Sequence, residues 1–468
     1  MGNNRNNYLM KNTIIFTLGN LGSKLISFFL IPLYTNALTT TEYGVIDLVA
    51  TVGTVAVPIL TLNICESVMR FALDKDADNE KITQIGTNIL LIGMVVGFLI
   101  LPICHSFDKI SQYSIFVYFY VVSLAASQLY LCDLRGKELL VYYSIGNVLH
   151  TFFIAVLNIL FLLAFKEGIE GYLKAYIIAN TLTAIYALIM GKGYRSFSFL
   201  RVDKKLLQRM VKYSIVLIPN SFMWWIMNSS DRIMVSSMVG IAANGIYAVS
   251  YKLPTLVSTL TTIFNQAWSY SAIREEGTED ESEYNNKIFK VLIGIVMLIG
   301  IGLVTFMKPF LSIYVAKEYY VAWKYTPFLT VGCVYLTLAS FMATSYTVHK
   351  DSFGYLFSGT FGAVFNIAMN FILIPWIGVY GAAIATCISY MLVFVFRLFH
   401  TRKYIQYNIK NKEFLIGSLV LILSAGLMFI DNLFGFALQC ALLLVAIYSF
   451  SDIWVPMFKK MMKLKGRQ

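Results

Sequence analysis

Charge is scarce in this chain. Acidic and basic residues make up 13% of its 468 positions, about half the share of an average soluble domain. So few cannot cover a water-facing globular surface, which argues against a soluble enzyme, a disordered protein and a nucleic-acid-binding protein. Histidine is scarcer still. His105, His150, His349 and His400 show neither metal-ligand spacing nor a nucleophile partner, so no metal, no cofactor and no catalytic constellation is expected. The six cysteines, Cys65, Cys104, Cys132, Cys333, Cys387 and Cys440, include no C-x-x-C pair, which removes zinc and redox motifs. Each lies within or at the end of an apolar stretch and is expected to be a small buried apolar residue.

What is abundant is apolar. Hydrophobic residues make up 58% of the chain and aromatics 15%, with a mean hydropathy of +0.69. A membrane-spanning helix needs about 20 mostly apolar residues. Apolar runs fall at 12–38, 43–70, 82–104, 113–133, 140–165, 170–191, 211–238, 243–268, 288–307, 322–347, 354–376, 380–401, 413–430 and 435–456. The fold class expected is an all-α polytopic membrane protein with about 14 transmembrane helices. The first run is too long for a cleavable signal peptide, and more spans follow it. Most of the aromatics should form interfacial belts or packing.

An even number of spans puts both termini on one side. Of the 37 lysines and arginines, 28 fall in segments on that side, with Arg397 counted among them. Five fall on the other: Lys109, Lys166, Lys308, Lys317 and Lys324. Lys24, Lys174, Arg232 and Lys252 lie within spans. Cations accumulate on the cytoplasmic side of membrane proteins, so both termini are expected there, in the cytoplasmic membrane of a bacterium. The net charge of +12 follows from those basic loops and needs no nucleic acid. The longest outer loop, about 308–321, holds only Lys308, Lys317 and Glu318 as charged residues. A membrane-embedded polysaccharide polymerase or ligase would be expected to carry a sizeable polar outer loop with paired catalytic groups.

The basic segment 192–212 falls between spans six and seven and reads as a hinge between two six-helix lobes. The expected organisation is a first lobe over 1–195, a second over 205–402, and two further spans with a basic tail over 413–468. A short internal repeat supports the lobes. Thr41-Glu42-Tyr43-Gly44-Val45-Ile46 opens the second span, and Ala242-Ala243-Asn244-Gly245-Ile246-Tyr247 opens the eighth. Six-span repeats are a transporter pattern, with the binding site between the halves.

Ionisable residues inside spans are costly and therefore read as functional. Lys24 lies roughly 18 Å from either end of its span, too deep to reach the interface easily. Arg232 lies about 9 Å into span seven, directly after Asp231, and Lys252 about 14 Å into span eight. Pro254 should break a backbone hydrogen bond and kink that span. Asp47, about 6 Å inside span two, either counters Lys24 or reaches the outer interface. Glu66 and Arg70, at i and i+4, form either a local ion pair or an inner gate. Lys174 should reach outward from its span end. Asp74, Asp76 and Asp78 resemble the start of a calcium loop, but Asn79 and Ile85 replace its glycine and final glutamate, so the run reads as a solvated loop. More cations than acids in a low-dielectric cavity favour an anionic passenger. Lysine and arginine suit a pyrophosphate, whereas a cationic drug does not fit.

Two stretches carry a family resemblance. The first joins Asn20, Lys24, Pro32-Leu33-Tyr34 and Glu42-Tyr43-Gly44. The second runs through Ile218-Pro219-Asn220, Asp231-Arg232-Ile233, Gly240, Ala243-Asn244-Gly245-Ile246-Tyr247 and Tyr251-Lys252. With them the chain resembles the Wzx-type polysaccharide or O-antigen flippases of the multidrug/oligosaccharidyl-lipid/polysaccharide exporter superfamily. The resemblance implies two lobes with alternating access, moving an undecaprenyl-pyrophosphate-linked oligosaccharide to the outer leaflet. It puts the pyrophosphate on Lys24, Arg232 and Lys252, and spans thirteen and fourteen beside the polyprenyl tail. Coupling to a proton or sodium gradient, or to the membrane potential, would involve Asp47 or Asp231. A polysaccharide polymerase and its chain-length machinery would be the partners, besides the bilayer itself. A peptidoglycan-precursor (lipid II) flippase and a multidrug antiporter of the same superfamily remain alternatives.

Overall fold

The computed structural model describes residues 26–74, 76–104, 111–196, 198, 202–274 and 276–456. Among them every regular element is helical. The chain divides into two compact units, Met1–Trp225 and Ile226–Gln468. The first holds α1 (Ile26–Ala37), α2 (Thr40–Leu60), α3 (Ile64–Ala72), α4 (Asn79–Cys104), α5 (Ser114–Gly136), α6 (Leu140–Asn158) and α7 (Gly168–Met190). Helix α8 (Lys204–Met238) begins in the first unit and ends in the second. The second unit continues with α9 (Ile241–Ser250), α10 (Pro254–Arg274), α11 (Glu281–Tyr314), α12 (Thr326–Val348), α13 (Ser352–Ile377) and α14 (Val379–His400). Helices α15 (Lys412–Leu427) and α16 (Leu433–Ser449) close it.

Each apolar run read from the sequence falls on one helix or on two helices joined by a turn, the first being described from residue 26 onward. Nine helices among the described residues are long and apolar enough to cross a bilayer. The chain is an all-α polytopic membrane protein. Large apolar side chains stay on the surface, such as Val95, Leu99, Phe371 and Trp376. Such patches would be a liability in water and suit contact with lipid.

Two spans are broken. Helix α2 starts on a capping box, Thr39 and Glu42 exchanging side-chain and backbone hydrogen bonds, and it ends before a turn in which Leu62 and Asn63 take φ of 51° and 54°. Helix α3 then starts in a new direction. In the second unit, α9 stops at Ser250, Tyr251-Lys252-Leu253 form a turn, and α10 restarts with Pro254 as its first residue. Pro254 was expected to kink a continuous helix. Instead it begins a new one, because a proline without an N–H is best tolerated at the first helical position. Hydroxyls bond carbonyls on both sides of the break: Thr255 donates to Lys252 O at 2.7 Å and Ser250 to Tyr247 O at 2.6 Å. Helices α2 and α9 match at their starts, with Gly44 and Gly245 each the fifth residue. The start of α9 uses Gly240 at φ 140°, a conformation that side-chain-bearing residues avoid.

Helix packing within a bilayer relies on close approach of small residues. Helix α14 provides this with Gly381, Ala382, Ala383 and Ala385, all buried, and Gly381 lies against the Leu373 backbone of α13. Helix α12, 83% buried over its most apolar stretch, packs against α10, α11 and α14.

Two expectations are corrected. Cys65 of α3 and Cys132 of α5 are joined by a disulfide with Cα atoms 5.8 Å apart, because the break in span two turns α3 against α5. Cys333 and Cys387 are buried and free, and Cys440 is half-buried. Arg397, counted among the cytoplasmic cations, is 1% exposed inside α14. Its Nε donates to Ser358 Oγ at 3.0 Å and its Nη1 to Ala339 O at 2.9 Å.

Candidate functional site

Asp231 and Arg232 are neighbours on α8, and neighbouring helix residues point about 100° apart. The two side chains therefore meet different partners. Asp231 is 2% exposed. Its Oδ2 accepts from the Tyr247 hydroxyl at 2.6 Å and from Thr386 Oγ1 at 3.3 Å, and its Oδ1 accepts from the Arg232 backbone N–H at 2.9 Å. The Arg232 guanidinium lies over the Tyr251 ring, 5.5 Å from its centroid. Tyr247 on α9 and Tyr251, the residue that caps its end, stand at i and i+4, edge to face at 5.5 Å. One tyrosine thus meets the acid and the next meets the base. Lys252 follows Tyr251 in the turn between α9 and α10.

The network around Asp231 extends through two more helices. Asn366 Nδ2 donates to Thr386 Oγ1 at 3.3 Å, and Asn370 Nδ2 donates to Asn366 Oδ1 at 3.0 Å. Tyr390, one turn beyond Thr386, donates to Asn228 at 3.3 Å. Each helix supplies a pair at i,i+3 or i,i+4: Asn228 and Asp231, Tyr247 and Tyr251, Asn366 and Asn370, Thr386 and Tyr390. The Asn370 Oδ1 is buried without a hydrogen-bond donor. Buried polar atoms of this kind are costly unless something satisfies them. An apolar shell of Met234, Val235, Leu329, Ile374, Val379, Ala382 and Ala383 encloses the cluster. Asn366, Asn370 and Thr386 had not been singled out from the sequence. Their signal was polar residues one helical turn apart within apolar runs.

The other sequence-derived candidates are dispersed. Lys24 lies outside the described residues. Asp47 is 6% exposed on α2 in the first unit. Arg70 pairs with Asp74 at 2.7 Å, which corrects the expected Glu66–Arg70 pair. Both acids stand four residues from Arg70, and Asp74, at the end of the helix, is free to turn toward the guanidinium. Glu66 is exposed. Lys174 reaches Glu167 at 2.9 Å and Glu170 at 3.6 Å.

Four buried acids and the two candidate cations differ in access. The acids Asp47, Asp133, Asp231 and Glu413 are buried. Asp133 has Lys137 at 2.6 Å and Glu413 has Lys290 at 3.2 Å. Arg232 and Lys252 are only half-buried and keep access to a ligand. No group of three or more histidines, cysteines, aspartates or glutamates able to hold a metal occurs among the described residues.

Comparison with known proteins places the chain. A membrane protein of Methanocaldococcus jannaschii of undescribed function is 23% identical over 320 residues, 64% of this chain and 61% of that relative. The alignment thus spans about three fifths of the relative's length. Among solved structures, the lipid II flippase MurJ in an inward closed conformation matches with a TM-score of 0.64 at 16% identity, covering 95% of this chain and 99% of MurJ. An inward-facing MATE-family multidrug resistance transporter of the MOP superfamily matches with a TM-score of 0.62 at 16% identity, covering 83% and 94%. These likenesses give the fold. The family model for polysaccharide biosynthesis proteins matches residues 9–269, more than half of the chain, and the chain belongs to that family.

Proposed function

We propose that this protein is a flippase that carries an undecaprenyl-pyrophosphate-linked oligosaccharide to the outer leaflet of the cytoplasmic membrane for surface polysaccharide synthesis. It performs no covalent chemistry on its cargo. The observation that carries the reading is that two half-buried cations stand at a break in a span, Arg232 over the Tyr251 ring and Lys252 in the turn of the break. Discontinuous membrane helices commonly form substrate sites in transporters. A half-buried arginine and lysine suit pyrophosphate oxygens, one as a fork and one as a point charge. The family resemblance also assigns Lys24, which lies outside the described residues, to the head group. Both termini are taken as cytoplasmic, which puts the basic loops on the side where the cargo is made. Glu66 and Arg70 would stand near an inner gate, and a polymerase with its chain-length machinery would receive the product.

The Asp231 cluster would serve coupling. A carboxylate among hydroxyl and amide oxygens, with one buried acceptor unmatched, suits a proton or a sodium ion, which take oxygen partners. Asp47 would be a second coupling group. The membrane potential would add to this. Two negative charges moving outward through an inside-negative potential gain about 4–5 kcal/mol per 100 mV.

The test uses cells that depend on this protein for one surface glycan. Arg232→Ala and Lys252→Ala should cause the lipid-linked oligosaccharide to accumulate, with normal protein in the membrane. Normal glycan display in both variants would overturn the assignment. The lipid II alternative is separated in the same cells: it requires loss of wall synthesis rather than of the surface glycan.

A further inference from the structure

A second charged site in the second unit is built from residues that the Asp231 cluster does not use. Lys308 stands about 9 Å from the end of α11, at the wall of a cavity of about 320 Å³. Thr305, Met428, Ile430, Leu433 and Phe436 line the same cavity. The ammonium is held from two sides. It lies 3.9 Å from the centroid of the Trp323 ring and 3.1 Å from Asp431 Oδ1. The lysine side chain is 20% exposed, whereas Asp431 is 83% exposed. An ammonium has three donors, and the two contacts leave one directed to neither.

We infer that this cavity binds a membrane glycerophospholipid, with its phosphate on Lys308 and its first acyl carbons against Met428, Ile430, Leu433 and Phe436. Four features point to that ligand. The site sits where α11 ends and α16 begins, and the ends of spanning helices lie toward the headgroups rather than the bilayer centre. Its walls are mostly apolar, with Thr305, Lys308, Asp431, Asn432 and Gln439 as the polar members. The residues beside it, Leu433 and Phe306, are exposed apolar side chains, so the cavity borders a lipid-facing surface. The cavity is at the small end of the range for ligand sites, about 300–1,000 Å³, which suits a headgroup and not a long polyprenyl chain. Asp431 is no obstacle, because ion pairs with so exposed a partner contribute little and the side chain can turn into water. The first backbone N–H groups of α16, at the cavity edge, add a weak preference for an anion. The bound lipid would cement α15 and α16 to α11 and is independent of the cargo.

Native mass spectrometry of the full-length protein tests this. Delipidated protein is titrated with dioleoylphosphatidylglycerol, with an uncharged glucosyl diacylglycerol, and with inorganic phosphate. The wild type should hold phosphatidylglycerol about tenfold more tightly than Lys308→Gln does, the loss expected for one charge-assisted hydrogen bond. Lys308→Arg should retain most of the affinity, and Lys317→Gln, at an exposed position that begins a short 3₁₀ helix, should bind as the wild type. Unchanged binding in Lys308→Gln would overturn the site. Equal binding of the uncharged lipid would overturn the phosphate assignment. Competition by inorganic phosphate at the same concentration as the lipid would assign the site to a free anion and overturn the lipid. Phe436→Glu, which fills the apolar wall with charge and leaves Lys308 in place, should also lose the phospholipid. Retained binding in that variant counts against the cavity.

Discussion

The Tyr247 hydroxyl donates to the Asp231 carboxylate across 2.6 Å, from α9 to α8. Both residues are buried, at 0% and 2% exposure. Removing the donor leaves an acceptor uncompensated in a dry bundle, which costs about 1–3 kcal/mol. Tyr247→Phe should therefore lower the thermal unfolding temperature in detergent. Thr386→Val, which removes the longer 3.3 Å contact, should lower it less. The opposite order would show that the hydroxyl of Tyr247 is not what holds the acid.

Asp231→Asn keeps the size of the side chain and removes its charge. The protein should fold and remain in the membrane, but export should lose its dependence on a sodium or proton gradient. Leaflet transfer measured with and without each gradient checks this. Gradient-dependent transfer at the wild-type rate in Asp231→Asn would remove Asp231 from coupling.

Pro254→Ala restores an N–H where α10 begins. A continuous α9–α10 helix then becomes accessible, and it would redirect Lys252 and Tyr251 away from Arg232. Transport should fall about tenfold or more while the unfolding temperature stays near that of the wild type, since alanine is a good helix former and is tolerated where α10 begins. Reduced transport together with reduced stability would point to misfolding instead.

Asp351, in the connection between α12 and α13, gives a pH dependence with a defined sign. The Gly354 backbone N–H, then Lys403 and Tyr404, hold its carboxyl down to about 2. A carboxyl held below its usual range contributes stability above that range and loses the contribution as pH falls from about 4 to about 2. The stability gap between wild type and Asp351→Asn should thus be present at pH 5, be much reduced at pH 2.5 and close only below about pH 2. A gap that stays constant over this range would contradict the assigned contacts.

The span pattern was legible in the sequence because lipid imposes one rule on every segment, about 20 apolar residues per crossing. The breaks were harder. Pro254 marked one, but a proline alone does not distinguish a kink from a new helix start. The break at Leu62-Asn63 depends on positive φ values that composition does not reveal. Asp231 and Arg232 stood out as charges in an apolar run. Asn366, Asn370 and Thr386 did not, since neutral polar residues are common in spans and only their i,i+4 spacing across α13 and α14 converges on Asp231. Cys65 and Cys132 lie 67 residues apart, and nothing local in the chain pairs them. Arg70 chose Asp74 over Glu66 at the same spacing, a choice made by the helix end.

The central claim is that cations in the membrane carry a pyrophosphate head group between leaflets. Proteoliposomes holding the purified protein and a fluorescent short-chain polyprenyl-pyrophosphate sugar, with and without an inside-negative potential, test it directly. Transfer that is faster with the potential, and that falls to the protein-free rate in Lys24→Ala and Arg232→Ala, is the expected result. Transfer at the wild-type rate in both variants, or no transfer by the folded wild-type protein with any sugar tried, would contradict the account.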